Sequence, residues 1–422
     1  MPSWRSANQI SQDSRVCHRH TNRMKIIDIQ WHNYRLPFLH RFSTAHGVID
    51  AREGIIVQVT INEGISGIGE IAPLPTFVGG NLTDACSLLP VLAARLRHKT
   101  LREALELLAA EKVHTKTAST LCGLEIALLD ALGKATGCNI STLLSPADFT
   151  PRSDVPVNAV IGARAANEAI TAALNAQKKG FRCVKLKVGL GLSIHEEIER
   201  IVSVRDAIGP AMHLRLDANE AWQLEEAITI LSQCVPYDIQ YVEQPLNAHN
   251  FAGLRTLRQA IPIPIAVDEA VHSLESAYLI LESEVADILV IKPQLAGGLR
   301  IGQQMIQAAS ERGVRSVITS TIEAGIGLAA ELHLAAVSPD CHPERSEGSV
   351  ALGRELLRYA QHDSAETLGC GLATLPLLVD DLLTEELPVR DGFLAVPTGP
   401  GLGVELDWQA LDRYCAGSVN YP

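Results

Sequence analysis

The chain has 422 residues, 47% hydrophobic and 20% charged, with a formal net charge of −12; this is the profile of a globular protein long enough for two domains, or for one barrel with an appendage. The acidic balance argues against nucleic acid or an anionic membrane as a partner, and no apolar run reaches the roughly 18 residues of a membrane span. Nine scattered cysteines without a CxxC pair read as small buried hydrophobes in a reducing compartment, so the cytoplasm is the expected location.

Residues 1–23 are polar and basic with no apolar stretch, which excludes a secretory signal. They read as a disordered or non-native extension, with Met24 beginning the folded chain. From Met24 to about residue 150 an α+β unit is predicted. Alternating runs (KIIDIQWHNYRL, GIIVQVTI) and a turn at Asn62-Glu63-Gly64 predict an antiparallel sheet, and the helical pattern of LTDACSLLPVLAARL and STLCGLEIALLDALGKATG follows it.

Over residues 151–387 strand-like runs alternate with amphipathic helices. The runs are 156–161, 183–188, 213–218, 239–244, 264–269, 287–293, 315–320 and 367–373. Eight such units predict a (β/α)8-type barrel, an α/β fold. The strand ends recur evenly: Asp217 to Glu243 is 26 residues, Glu243 to Asp268 is 25, and Asp268 to Lys292 is 24. One gap, Ser320 to Gly371, is 51 residues. Its excess is the polar, charged segment 339–367, an expected insertion between helix seven and strand eight. Residues 388–422 form a C-terminal segment.

In such barrels the reactive groups stand at the C-terminal strand ends. This sequence places Lys185 and Lys187, Asp217 and Asn219, Glu243, Asp268 and Glu269, and Lys292 there. Charges in apolar strands are costly unless paired or liganded. Asp217, Glu243 and Asp268 come from three neighbouring strands, so their carboxylates can converge. Three clustered carboxylates repel unless a cation sits among them, and oxygen donors suit Mg2+, with Mn2+ as the alternative. Separate salt bridges are the competing explanation. Lys185 and Lys187, two apart on one strand, point to the same side, and a neighbouring ammonium favours a working base. Lys292 arrives four strands on. A small-molecule carboxylate held between lysines on two sides points to proton abstraction at its α-carbon.

The motifs KLK (185–187), LDANEAW (216–222), YVEQPL (241–246), VDEA (267–270) and IKPQLAGGL (291–299) resemble the muconate-lactonizing branch of the enolase superfamily. GEIAPLP (69–75), TSTIEAGIG (319–327) and VRDGFLAVPTGPGLGVELD (389–407) extend the likeness from Met24 to about Asp407, with the insertion unmatched. The wording is most similar to the o-succinylbenzoate synthase family, with N-acylamino acid racemase and muconate cycloisomerase as rivals. The resemblance implies that residues 24–150 form a capping domain to which the C-terminal segment returns. It implies that Lys187 is the base and then the acid of a syn elimination of water, and that Lys292 stabilises the intermediate. Lys185 would tune Lys187, Asp217, Glu243 and Asp268 would hold the metal, and Asn219 and Glu269 would support them. Cap loops 40–47 and 75–81 would read the distal part of the substrate, with Ser320, Thr321 and Glu323 as further contacts. Strand eight lacks the Asp-x-Asp pair of the dipeptide epimerases and carries Cys370 where many synthases have His. Oligomeric state is not legible in the sequence.

Overall fold

The computed structural model describes residues 23–44, 47–75, 80–146, 149–339 and 367–416. The expected extension at 1–22, the tips of the two cap loops at 45–46 and 76–79, and nearly all of the 339–367 insertion lie outside these. Three antiparallel strands open the chain: β1 (Ile26–Thr44), β2 (Gly47–Ile61) and β3 (Ser66–Ile71). They pair in the order β1-β2-β3, and the β2–β3 turn closes at Gly64, whose φ of +75° suits a residue without Cβ.

Helices α1 (Leu82–Leu96), α2 (Leu101–Ala110), α3 (Ala118–Thr136) and α4 (Ile140–Leu144) follow. Thr100 and Glu103 form a reciprocal cap that starts α2. Helix α3 is buried along nearly its whole length, because it is wedged between the sheet and the barrel. Glycines permit that approach: a Cβ on Gly69 would lie 2.1 Å from the Gly123 carbonyl oxygen.

Seven parallel strands then run in sequential order: β5 (Ala159–Ile161), β6 (Cys183–Lys187), β7 (His213–Asp217), β8 (Ile239–Glu243), β9 (Ile265–Val267), β10 (Ile288–Ile291) and β11 (Arg315–Ile318). Helices follow them, among them α5 (Ala166–Lys178), α6 (Ile194–Ile208), α7 (Leu224–Cys234), α8 (Phe251–Ala260), α9 (Leu274–Ser283), α10 (Pro293–Ala296), α11 (Leu299–Ser310) and α12 (Gly325–Ala336). This is a β/α barrel. Two expectations need correction. The run 156–161 is not one strand: β4 (Asp154–Pro156) pairs antiparallel with β12 (Phe393–Ala395) of the C-terminal segment, and the barrel strand begins at Ala159. The predicted eighth strand, 367–373, contributes only single bridges, Cys370 to Val157 and Gly371 to Thr319.

Those bridges still close the ring. The Cys370 N–H donates to the Pro156 carbonyl (2.7 Å) and the Gly371 N–H to that of Ile318 (2.9 Å). Fully buried Arg215 reinforces the seam by donating to the carbonyl of Gly369 (2.6 Å), Asn158 Oδ1 (3.2 Å) and Gln240 Oε1 (2.6 Å). Return bonds from the Asn158 N–H to the Cys370 carbonyl (3.0 Å) and from the Ser320 N–H to that of Gly371 (3.2 Å) complete the closure on both sides. Near its end the chain returns to the first sheet, where the Arg35 N–H donates to the Tyr414 carbonyl (2.9 Å) and that of Ala416 to Asn33 (3.0 Å). Among the described residues no helix is long and apolar enough to cross a membrane.

The first unit meets the barrel on a buried acidic joint. Glu70 of β3 accepts from the Ala324 and Gly327 N–H groups (2.8 Å each) at the start of α12, where a carboxylate complements the helix dipole, and from the Tyr34 hydroxyl. Burial pushes the Glu70 carboxyl up to about 7, against the Tyr34 hydrogen bond. Glu331 of α12 lies against Glu323, a carboxyl pair that one shared proton can bridge. Burial, then Glu323 and Glu70, push it well above the usual range. Such groups keep a proton in the folded chain that the unfolded chain releases near about pH 4.3. Their stabilisation is complete below that pH and is lost as pH rises through the folded value. Thermal stability is therefore expected to fall between about pH 5 and 8. Glu331→Gln, which cannot ionise, should flatten that fall by about 1.4 kcal/mol per pH unit. Unfolding free energies of the two proteins across this range check it, and parallel slopes would show that Glu331 is not proton-linked.

Candidate active site

The barrel register assembles the predicted residues. Lys187, Asp217 and Glu243 are Cα partners across β6, β7 and β8, so their side chains share one face; Asp268 follows β9 and Lys292 follows β10. Lys187 Nζ donates to Asp217 Oδ2 (2.6 Å) and Asn219 Oδ1 (2.7 Å). Lys185 Nζ reaches Glu243 Oε1 (2.8 Å) and Asp217 Oδ2 (3.0 Å). From the other side Lys292 Nζ holds Asp268 Oδ1 at 2.6 Å. Asn219 passes the network on, donating to Glu269 Oε1 (2.9 Å). Its φ of 42° is left-handed, a conformation that asparagine tolerates better than most residues and that lets it bridge Lys187 and Glu269.

Exposure separates the lysines. The Lys187 side chain is 26% exposed, against 9% for Lys185 and 7% for Lys292, so Lys187 is the one most open to an incoming molecule. Burial works against charge on Lys185 and Lys292. The Asp217 and Glu243 carboxylates outweigh it at Lys185, and Asp268 with Glu269 outweighs it at Lys292, so both are held above the ordinary lysine range. Burial likewise opposes ionisation of Asp217, yet Lys185 and Lys187 hold it below the usual carboxylate range. Glu243 is pushed up to about 7 by burial and then by Asp217, and Glu269 to about 8 by burial and then by Asp268.

The carboxylates do not meet at one point. Among the described residues no three acids, imidazoles or thiols are gathered closely enough to hold a metal ion. In a buried site opposite charges attract strongly, and each carboxylate is drawn onto a lysine. The donor set still fits a hard divalent cation. Asp217, Glu243 and Asp268 are oxygen donors from adjacent strands, each at most 3% exposed. With Glu269 they outnumber the three ammoniums, and Glu269 Oε2 is a buried oxygen without a partner.

The strand-seven candidates are turned towards protein. The Ser320 hydroxyl meets that of Thr374 (2.9 Å). Both the N–H (2.9 Å) and the hydroxyl of Thr321 donate to Glu323 Oε1, and Glu323 is fully buried. Three polar side chains that bond the backbone around the site escaped the sequence reading. Arg200 donates to the Lys187 carbonyl (2.6 Å) from α6; nothing in an amphipathic helix marks it. Gln244 Oε1 accepts from the Asp268 N–H (3.0 Å), and its place directly after Glu243 was the available signal. Gln294, two residues past Lys292, is the third.

Lysines on two sides of a carboxylate cluster at the mouth of a β/α barrel, under a small α+β unit, define a class of carbon-acid enzymes. The chain belongs to the enolase superfamily. Residues 168–410 match the family described as "Enolase C-terminal domain-like" and 28–145 the "Mandelate racemase / muconate lactonizing enzyme, N-terminal domain". The first unit is thus the family's capping domain. Members of this superfamily generally use Mg2+. The chain is similar to the L-Ala-D/L-Glu epimerase of Bacillus subtilis (strain 168), 31% identical over 74% of this chain and 85% of that protein. The solved structure of a substrate-liganded complex of that epimerase has a TM-score of 0.77 and 27% identity, covering 90% of this chain and 99% of that one. Muconate cycloisomerase 1 of Rhodococcus opacus is 27% identical over 89% and 94% of the two chains. The o-succinylbenzoate synthase of Thermobifida fusca (strain YX) is 33% identical over 58% and 67%. Relatives of lyase, isomerase and epimerase kind thus share the framework.

Proposed function

We propose that this chain is an o-succinylbenzoate synthase, dehydrating 2-succinyl-6-hydroxy-2,4-cyclohexadiene-1-carboxylate to 2-succinylbenzoate. The observation that carries the reading is the pair Lys187 and Lys292, which reach the carboxylate cluster from opposite sides. The segment closing the barrel supports the choice of substrate. Gly369, Cys370, Gly371 and Leu372 present no carboxylate there to receive the ammonium of a dipeptide.

Asp217, Glu243 and Asp268 would hold Mg2+ or Mn2+, which supplies positive charge for the substrate carboxylate as its α-carbon loses a proton. Lys187 Nζ takes that proton as the C–H bond breaks. The electron pair forms the new ring double bond as the C–O bond breaks, and the hydroxyl leaves as water with the proton returned by Lys187. Acid and base are one group, so elimination is syn. Lys292 stays an ammonium and offsets the negative charge that develops on the substrate. Lys185, held charged by Asp217 and Glu243, keeps a positive neighbour beside Lys187, and Asn219 and Glu269 orient the Lys187 side. Ser320, Thr321 and Glu323 form the wall on the strand-seven side.

The same two lysines favour a second reading, racemisation of N-acylamino acids, in which each would serve one face of the α-carbon. Incubation with the cyclohexadiene substrate and Mg2+, followed at the absorbance of the aromatic product, tests the first. Absence of turnover together with racemisation of N-succinyl amino acids would transfer the assignment to the second.

A further inference from the structure

The two lysines that flank the cluster are supported from different parts of the molecule. Lys187 is held from within the barrel: Arg200 of α6 donates to its carbonyl (2.6 Å), and its Nζ meets Asp217 and Asn219. Lys292 directly follows β10 and caps the start of α10, a helix of four residues. One turn cannot hold its own conformation, because nucleation of a helix is unfavourable.

The support for that turn comes from the capping domain. Gln294, 1% exposed, points its amide at the backbone leaving β3. Its Nε2 donates to the Glu70 carbonyl (2.8 Å) and its Oε1 accepts from the Ala72 N–H (3.1 Å). The next residues continue the docking. Gly298 lies so close to Glu125 of α3 that a Cβ would be 2.3 Å from its Oε2. Arg300 then pairs with Glu125 Oε1 (2.6 Å) and donates to the Leu105 carbonyl (2.8 Å). The capping backbone is itself anchored where Gln294 grips it, by the bonds of Glu70 to Ala324 and Gly327 (2.8 Å each).

We infer that Gln294 is a positioning residue that sets Lys292 against the capping domain, so that docking of the cap controls Lys292 and leaves Lys187 untouched. Two bonds from one planar amide fix both the height and the rotation of the turn, and Lys292 is the residue that caps its start. Without them the turn loses its registration on residues 70–72, and the ammonium loses its fixed distance from the reacting carbon. A misplacement of about 1 Å is enough to cost on the order of 100-fold in rate.

The inference rests on the proton-abstraction reading of the site, and the test separates the two. Gln294→Leu keeps the volume and removes both bonds. With Mg2+ and the cyclohexadiene substrate, its kcat and kcat/KM are expected to fall together by about 10- to 100-fold, with KM near that of the parent. Added to Lys292→Ala, which already lacks the ammonium, the same substitution should lower the residual rate by less than about two-fold. Added to Lys187→Arg, it should lower the residual rate by its full factor. A protein that loses only thermal stability, with kcat and KM intact, would overturn the inference, as would full additivity with Lys292→Ala. An inactive parent, with no exchange of the substrate α-proton in D2O, would instead overturn the functional reading.

Discussion

Lys187→Ala is expected to lose dehydration activity by at least 10²- to 10⁴-fold, the usual contribution of a positioned proton-transfer group. The effect should be larger than that for any other single residue of the site, because Lys187 both accepts and returns the proton. Lys187 donates to Asp217 and Asn219, so its removal leaves an acceptor on each without that partner. Asp217 keeps Lys185 at 3.0 Å, and the Lys187 side chain is partly exposed. The fold should therefore survive, and circular dichroism with a thermal melt will show that. Turnover within ten-fold of the parent by a folded Lys187→Ala protein would assign the base to another residue.

The second large effect concerns the cation. Chelation is expected to abolish turnover, and Mg2+ or Mn2+ to restore it. A separate signature does not depend on activity. An ion that binds only the folded chain raises unfolding free energy by about 2.7 kcal/mol at a hundred-fold excess over its dissociation constant. Glu243→Gln removes one of the three anionic donors and leaves a neutral amide beside Lys185. Most of the ion-dependent stabilisation should go with it. The variant should otherwise fold, because Lys185 also pairs with Asp217. A parent protein whose melting is indifferent to millimolar Mg2+ and Mn2+ would rule out the proposed ligand set.

The capping domain has a double part in this molecule. Its acidic joint with the barrel is expected to tie stability to pH through Glu70 and Glu331, and its backbone at residues 70–72 bonds the turn that follows Lys292. The lysines and carboxylates stand at or directly after the ends of barrel strands, where sequential order and even spacing place them.

Those residues could be read from the sequence for the same physical reason. In a parallel barrel each strand end faces one mouth, so charges recurring every 24 to 26 residues stand around that mouth. That Lys187, Asp217 and Glu243 lie on adjacent strands follows from strand order, whereas their Cα pairing depends on the register, which shifts between Leu214 and Arg215. The eighth strand was legible only as a pattern. Its seven residues form two single bridges, closed by backbone bonds at Cys370 and Gly371 and by Arg215 on the Gly369 carbonyl. The distribution of the carboxylates over the lysines, rather than at one point, depends on distances of 2.6 to 3.0 Å between side chains from different strands. Gln294 and Glu70 are separated by 224 positions, and Glu70 and Gly327 by 257. No local periodicity relates residues so far apart. The sequence by itself determined which groups stand at the barrel mouth, since strand periodicity is a local property. Which of them hold one another, and from which domain Lys292 takes its support, was decided by tertiary contact alone.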